Sequence, residues 1–473
     1  MKGADYNDGV PSHRGPLMDA PPIETLVDPR VKEKLQELRQ TDNVSNLPYL
    51  VFTYLYLAAV IAAAVAFHQT QMSHGWHWAW NVPVFLMAGI LVGAGQHQLT
   101  GLAHEASHHL LFRNRIANDL FADWLCMFPL FGSIQHYRLQ HLAHHQFVND
   151  PNHDPDVSQL RTSGHWLDFP IERAKFLATL VRQLSPINLF RYMRIRAAYN
   201  AIPTDKNPYL KKGWKPTKTT VRLGILYIVA QLALTATMVC LQDRILLAAV
   251  PAALWAGAML LFGRLPDAMY HQSRVHPIIS MRAMTLMRLT YVTILFQILG
   301  WLSVEATPYA GMYWLLLWVV PIFTSFSFFM ILRQIVQHGN GDRGKLNNTR
   351  VFRVHPFLRY AVFPIGQDYH LPHHLFSSVP HYRLRELHAF LMQCAEYRAE
   401  AIQVEGYFLP YEKPPTKPTV VDVLGAANAH RADEVYIDDD VLANEEIDER
   451  EEILQKGEVE RRRRREELGK PAA

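Results

Sequence analysis

Apolar and polar stretches alternate along the chain on the length scale of a lipid bilayer. Crossing about 30 Å of hydrocarbon takes about 20 helical residues. Blocks near that length occupy residues 47–67, 79–102, 221–241, 245–262, 289–304 and 312–332, the fifth being the shortest. They predict an all-α integral membrane protein with about six transmembrane helices. A milder apolar run, 120–134, is too short to span and predicts a re-entrant or interfacial helix. Trp76, Trp78 and Trp80 stand between the first two blocks, where an interfacial aromatic belt would sit. The first polar segment, 1–46, holds no early apolar run of the kind a cleaved leader carries; within it, 27–41 predicts a short charged helix.

Composition changes the picture only once its distribution is considered. Hydrophobic residues are 49% of the 473, and the mean hydropathy of −0.05 resembles that of a soluble protein. The average hides apolar spans between strongly polar ends. Three cysteines, Cys126, Cys240 and Cys394, are too few and too scattered for a disulfide framework or a thiolate metal site. Nothing points to nucleic acid: the net charge is only +4.

Where the positive charge sits matters more. With the N-terminus inside, the loops placed outside carry one basic residue, Arg244. The inside loops carry Arg113, Arg115, Arg138, Arg173, Lys175, Arg194, Arg196 and more. This asymmetry predicts cytoplasmic termini. The expected organisation is a cytoplasmic segment (1–46), a membrane domain (47–400), a proline-rich linker (401–432) and a charged tail (433–473). The tail has an acidic half followed by the run Arg461 to Arg465. It reads as a solvated helix or disordered segment, with an anionic-lipid or partner contact as the sharper alternative.

The polar stretches carry the chemistry. Histidine is 24 of 473 residues, about 5%, so the pattern HxxHH arises by chance with a probability on the order of 10⁻⁴ per position; it occurs twice. His141, His144 and His145 form one copy, and His370, His373 and His374 the other. His104 and His108 stand four apart where the second span ends. On helices, residues at i and i+4 share a face while i+3 points beside it, so each HxxHH can serve two ions at once. Eight imidazoles exceed one tetrahedral zinc, and imidazole accepts several first-row metals. The clusters must share one side of the membrane, which an even number of spans provides. His136, Asp154, Asp156 and Asp368 lie near enough in sequence to orient ligating rings, and for the aspartates turn chemistry is the alternative. His13, His97, His271, His276, His388 and His430 read as ordinary packed or surface histidines.

His104-Glu105-Ala106-Ser107-His108 also spells HExxH, the pattern of zinc peptidases, with Glu105 as base. That reading, a membrane zinc metallopeptidase, leaves both HxxHH copies unexplained. A histidine-rich metal carrier would need ionisable groups inside the spans, which are nearly free of them.

The segments HEASHHLLFRN, YRLQHLAHHQF and YHLPHHLFSSVPHYRL resemble the three histidine boxes of the membrane fatty acid desaturase superfamily, in order, spacing and topology, over about residues 47–399. The resemblance implies a cytoplasmic helical cap over the spans, holding two iron ions. It implies the ligands His104, His108, His141, His144, His145, His370, His373 and His374, with His338 as a ninth by its position after the last span. Glu105 then belongs to the surroundings of the ligands. First boxes occur as HxxxH or HxxxxH. Both His108 and His109 stand here; His108 fits the closer match and His109 is the alternative ligand. The implied reaction is dioxygen-dependent desaturation of a fatty acyl chain, presented as acyl-lipid, acyl-CoA or free acid. Related members are hydroxylases, ketolases and decarboxylases. No HPGG and no CxxC pair is present, so electrons are expected from a separate ferredoxin, rubredoxin or cytochrome b5 type protein with its reductase.

Overall fold

A computed structural model describes residues 22–200, 207–429, 435–454 and 459. The run Arg461 to Arg465, and His13 and His430, lie outside the described residues. Among those described, six helices are long and apolar enough to cross a membrane. The described residues are almost wholly helical, and the one sheet among them pairs Val351–Arg353 in parallel with Gln403–Glu405. The short helix α1 (Pro29–Leu38) forms inside the predicted 27–41 segment and is capped by the Asp28 side chain.

The first two spans, α2 (Leu47–Ser73) and α3 (Asn81–Ser107), form a hairpin. The two halves of α3 differ. Its first half leaves Leu86 and Met87 exposed to lipid, whereas every residue from Val92 to Ser107 is buried. Small residues make that enclosure possible. A Cβ at Gly93 would stand 2.7 Å from the backbone nitrogen of Phe326, and one at Gly101 would stand 2.7 Å from Ile365. Backbones approach closely at such positions, and at Gly101 this seats the segment leading to the third histidine cluster one turn before His104.

The run 120–134 does turn back. Helix α4 (Arg115–Phe121) passes into a π-helical turn, Ala122–Met127, and a short 3-10 turn, Phe128–Leu130. Phe131, at φ +61°, then reverses the chain. It leads into α5 (Ile134–Gln146), whose thirteen residues are all buried. Beyond it come α6 (Pro155–Ser163), α7 (Arg173–Gln183) and α8 (Pro186–Asn200).

Helices α9 (Thr219–Leu241), α10 (Arg244–Arg264) and α11 (Met281–Glu305) form a second membrane unit. The fifth span begins eight residues earlier than the apolar block at 289. Arg282 and Arg288 break the hydropathy but not the helix, because Arg282 bonds the Leu265 carbonyl at 2.7 Å and Arg288 that of Phe131 at 2.7 Å. The sixth span, α12 (Ala310–His338), is interrupted by a π-helical turn at Leu315–Val319 and a break at Thr324.

The C-terminal region is more structured than its composition suggests. Val420, Val421, Val423 and Leu424 enter the main core within the proline-rich stretch. Residues 435–454, expected as solvated tail, pack Val441, Leu442 and Ile453 against Leu139, Leu142 and Ala143 of α5. Burying those three apolar side chains among mostly charged neighbours outweighs the solvation that composition alone predicts.

Candidate metal centre

Each histidine is placed by the way its segment ends or turns. Helix α3 finishes in a Schellman arrangement: His109 N–H bonds the Ala106 carbonyl at 3.1 Å, and Leu110 N–H bonds that of Glu105 at 2.9 Å. His109 takes the left-handed position of that motif, at φ +59°. The reversal carries its ring away from His104. Its Nε2 lies 3.0 Å from a Glu445 carboxylate oxygen, and its Nδ1 is 3.4 Å from Arg138. Arg138 is in turn paired with Asp119 at 2.5 Å, both fully buried; leaving either alone there would cost about 3–5 kcal/mol. His108, not His109, faces the other histidines.

The imidazoles form two groups. The first holds His104, His108, His141, His145 and His373, and the second His144, His338, His370 and His374. In α5, the i and i+4 pair His141 and His145 serves the first group while His144 serves the second. Helix α13 (His370–Leu375) divides the other way, with His370 and His374 in the second group and His373 in the first. His338 is the last residue of α12, one step past the membrane-spanning apolar stretch.

The distances test what these groups fit. In the first, Nε2 atoms approach at 2.9 Å (His108–His141), 3.0 Å (His141–His145) and 3.0 Å (His145–His373). In the second they approach at 3.2 Å (His144–His338), 3.0 Å (His338–His370) and 3.1 Å (His370–His374). At a metal–nitrogen distance of about 2.0–2.1 Å, neighbouring donors stand about 2.9 Å apart in an octahedron and about 3.3–3.4 Å in a tetrahedron. The first group's spacing is close to octahedral edges and its five donors exceed a tetrahedral shell, whereas the second group's four donors, at 3.0–3.2 Å, lie between the two. Glu105 is not free to act as a peptidase base: one carboxylate oxygen accepts the His381 N–H at 2.8 Å and the other lies 3.3 Å from His104 Nδ1.

Burial also sets the charge. It holds His108, His141, His145, His370 and His374 well below the usual imidazole range, helped by their neighbours, and brings His373 to about 3. Neutral rings keep a lone pair for a metal. His144 is the exception. Burial pushes it down, but Asp154 and Asp156 outweigh that and raise it to about 9.

The other sequence-selected residues divide. Asp154 lies 3.0 Å from His144 Nδ1, fixing that ring through its second nitrogen. Asp156 accepts from Gln140 at 2.8 Å and faces a small cavity beside the histidines. Asp368 turns away, taken by Arg359 at 2.7 Å. His136 is also elsewhere: its Nδ1 meets Ser133 at 2.9 Å and its ring packs on His271. Both had been singled out by nearness in sequence, which a helical turn of rotation defeats. Four contacts were missed: Gln367, whose amide nitrogen lies 3.0 Å from His104 Nε2, the Asn348 carbonyl, 3.0 Å from His338 Nδ1, and Arg196 and Arg333, which line the cavity. Arg333 carried a signal, because an ionisable residue late in a span marks a functional site by default.

Membrane-length helices that gather nine imidazoles, eight buried and His338 half-buried, into two groups each able to hold a metal ion define a membrane protein of the histidine-box type. The family model for "Fatty acid desaturase" matches residues 77–277 and 263–404. The chain therefore belongs to the fatty acid desaturase family and is an oxidoreductase of that family. It is similar to the "Dihydrorhizobitoxine desaturase" of Bradyrhizobium elkanii, 25% identical over 407 residues, covering 84% of this chain and 89% of that one. Shorter similarities reach the "Sphingolipid delta(4)-desaturase" of Komagataella phaffii, 36% identical over 105 residues (20% of this chain, 28% of the relative). Another reaches the "Delta(5) fatty acid desaturase fat-4" of Caenorhabditis elegans, 28% identical over 130 residues (28% and 26%). Family membership implies a lipid substrate.

Proposed function

We propose that the protein is a dioxygen-dependent desaturase, introducing a double bond into a fatty acyl chain at a centre of two iron ions. The observation that carries the reading is the five-and-four division of nine closely spaced imidazoles, in a chain of this family. His104, His108, His141, His145 and His373 hold one ion; His144, His338, His370 and His374 hold the other. When bound, the iron pair supplies the oxidising power to break unactivated C–H bonds. The protein's own groups do the rest. Asp154 bonds His144 Nδ1 and so turns Nε2 toward the second group, where metal binding would displace the Nε2 proton. Gln367 and Glu105 fix the His104 ring. The enclosing helices bury eight of the nine rings and leave His338 half-buried.

Electrons come from a separate donor of ferredoxin, rubredoxin or cytochrome b5 type with its reductase. The basic loops lie on the side of the histidine groups, which supports a cytoplasmic active site with the termini on that side. The spans lie among membrane lipids. The test is lipid analysis of cells expressing the protein. A new double bond should appear, and it should vanish in His144→Ala. An alcohol or a terminal alkene in its place would refute desaturation while leaving the metal assignment standing.

A further inference from the structure

Beside the two histidine groups is a cavity whose walls are polar rather than hydrocarbon. Tyr137, Gln140, Asp156, Arg196, Arg333 and Gln337 face it together with ring edges of the histidines. Two of these are arginines, each only 6% exposed. Asp156 is the carboxylate facing them; it accepts from Gln140 at 2.8 Å and is also bonded by Gln334. Arg333 Nε meets no partner among the described residues, and neither does the Gln140 side-chain oxygen. The cavity thus carries two guanidinium charges against one carboxylate. A buried charge without a counter-ion is strongly disfavoured, and removing it from water is compensated only by a partner of opposite sign. Guanidinium groups also present the planar fork that carboxylates fit.

A second cavity, of about 240 Å³, adjoins the first. It is apolar, walled by Ala103, Met127, Leu130, Met193 and Phe326 among others. Tyr137 and Arg196 line both cavities, so these two residues form the boundary. A cavity of about 150 Å³ accepts benzene, which makes 240 Å³ room for roughly nine or ten carbon atoms.

We propose that the substrate is a free carboxylic acid whose carboxylate rests on Arg196 and Arg333, beside the histidine groups, with its hydrocarbon remainder in the apolar cavity. This rests on the desaturase reading and specifies it. From there the chain passes Tyr137, whose ring stacks on His141 at 5.5 Å, before entering the apolar cavity, so the carbons nearest the histidine groups, and the new double bond, are those near the acid end. The balance is R–CH₂–CH₂–R′ plus O₂, two electrons from a reduced carrier protein and two protons, giving R–CH=CH–R′ and two waters. An ester or thioester offers no carboxylate at this position and leaves the arginine charge uncompensated.

The experiment uses the full chain, iron-loaded, in phosphatidylcholine nanodiscs, with radiolabelled decanoate and methyl decanoate as probes and empty nanodiscs subtracted. Decanoate should bind at least tenfold more tightly than its methyl ester. Arg333→Gln and Arg196→Gln should each weaken decanoate tenfold or more and leave the ester unchanged. Arg333→Lys should retain part of the preference. Iron content reports whether each variant holds its fold, and the acid-to-ester ratio of the native protein decides the matter even if a glutamine variant does not. Equal binding of acid and ester by the native protein, no decanoate binding, or an acid preference that survives in both folded glutamine variants overturns the proposal. Binding needs no turnover, which separates the two readings. Arginine-dependent decanoate binding without any unsaturated product would leave this proposal standing and count against the desaturase. Desaturation of an ester with no affinity for the acid would do the reverse.

Discussion

The two histidine groups are built from similar motifs and differ in how their rings are held. The first takes five imidazoles, and His145 and His373 in it have Nδ1 atoms without a partner among the described residues. The second takes four, two of them anchored from behind: His144 by Asp154 at 3.0 Å and His338 by the Asn348 carbonyl at 3.0 Å. On an octahedral count the first group leaves one position open and the second leaves two. The difference is one of degree: crowding alone positions His145 and His373 of the first group and His370 of the second, whose Nδ1 also meets no partner among the described residues, while Glu105 and Gln367 support His104. A group held by packing should fail when a ring is removed. One held by hydrogen bonds should also respond to its supporting residues.

The largest effect should separate neighbouring residues of the first group's edge. His108→Ala is expected to lower activity at least a thousandfold, because it removes a donor. His109→Ala should keep at least a tenth of the activity, because that ring is turned to Glu445 and Arg138. Product formation by each variant measures this, and equal losses would erase the distinction. Next in size, Asp154→Asn should weaken the second group's ion about 10–100-fold while leaving the first group's ion in place. Metal retention against a graded chelator reads it, and simultaneous loss of both ions would contradict independent support.

A smaller effect concerns the C-terminal segment packed on α5. Burial, with Asp440 and Asp439 nearby, raises the Asp438 carboxyl to about 7 from its usual 3.8. An acid raised in the folded state favours that state while protonated. Packing of 435–454 is therefore fully supported below about pH 4 and loses that support as pH rises through about 7, by at most about tenfold per unit. Hydrogen exchange in 435–454, corrected for intrinsic rates, should accelerate from pH 5 to 8, and Asp438→Asn should flatten the trend. An unchanged slope in the variant would assign the dependence elsewhere.

Much of this was legible in the residues. The six spans follow from apolar blocks, and the repeated HxxHH shows helical faces aimed at two places. The rest was hidden for physical reasons. The fifth span begins under Arg282 and Arg288, whose charges are carried by carbonyls that hydropathy cannot see. The direction of His109 depends on a left-handed helix end where no glycine marks it. Asp368 lies two residues before a histidine of the second group yet belongs to Arg359. The segment 435–454 looks solvated by composition, yet three apolar side chains seat it on α5. The arginine-lined cavity joins α8 to α12, elements far apart in sequence, so only the fold brings Arg196 and Arg333 together.

Metal analysis of the purified full chain tests the central claim most directly. Two separate groups of imidazoles predict about two iron atoms per chain, falling to about one in His338→Ala. About one zinc per chain and no iron would contradict the account.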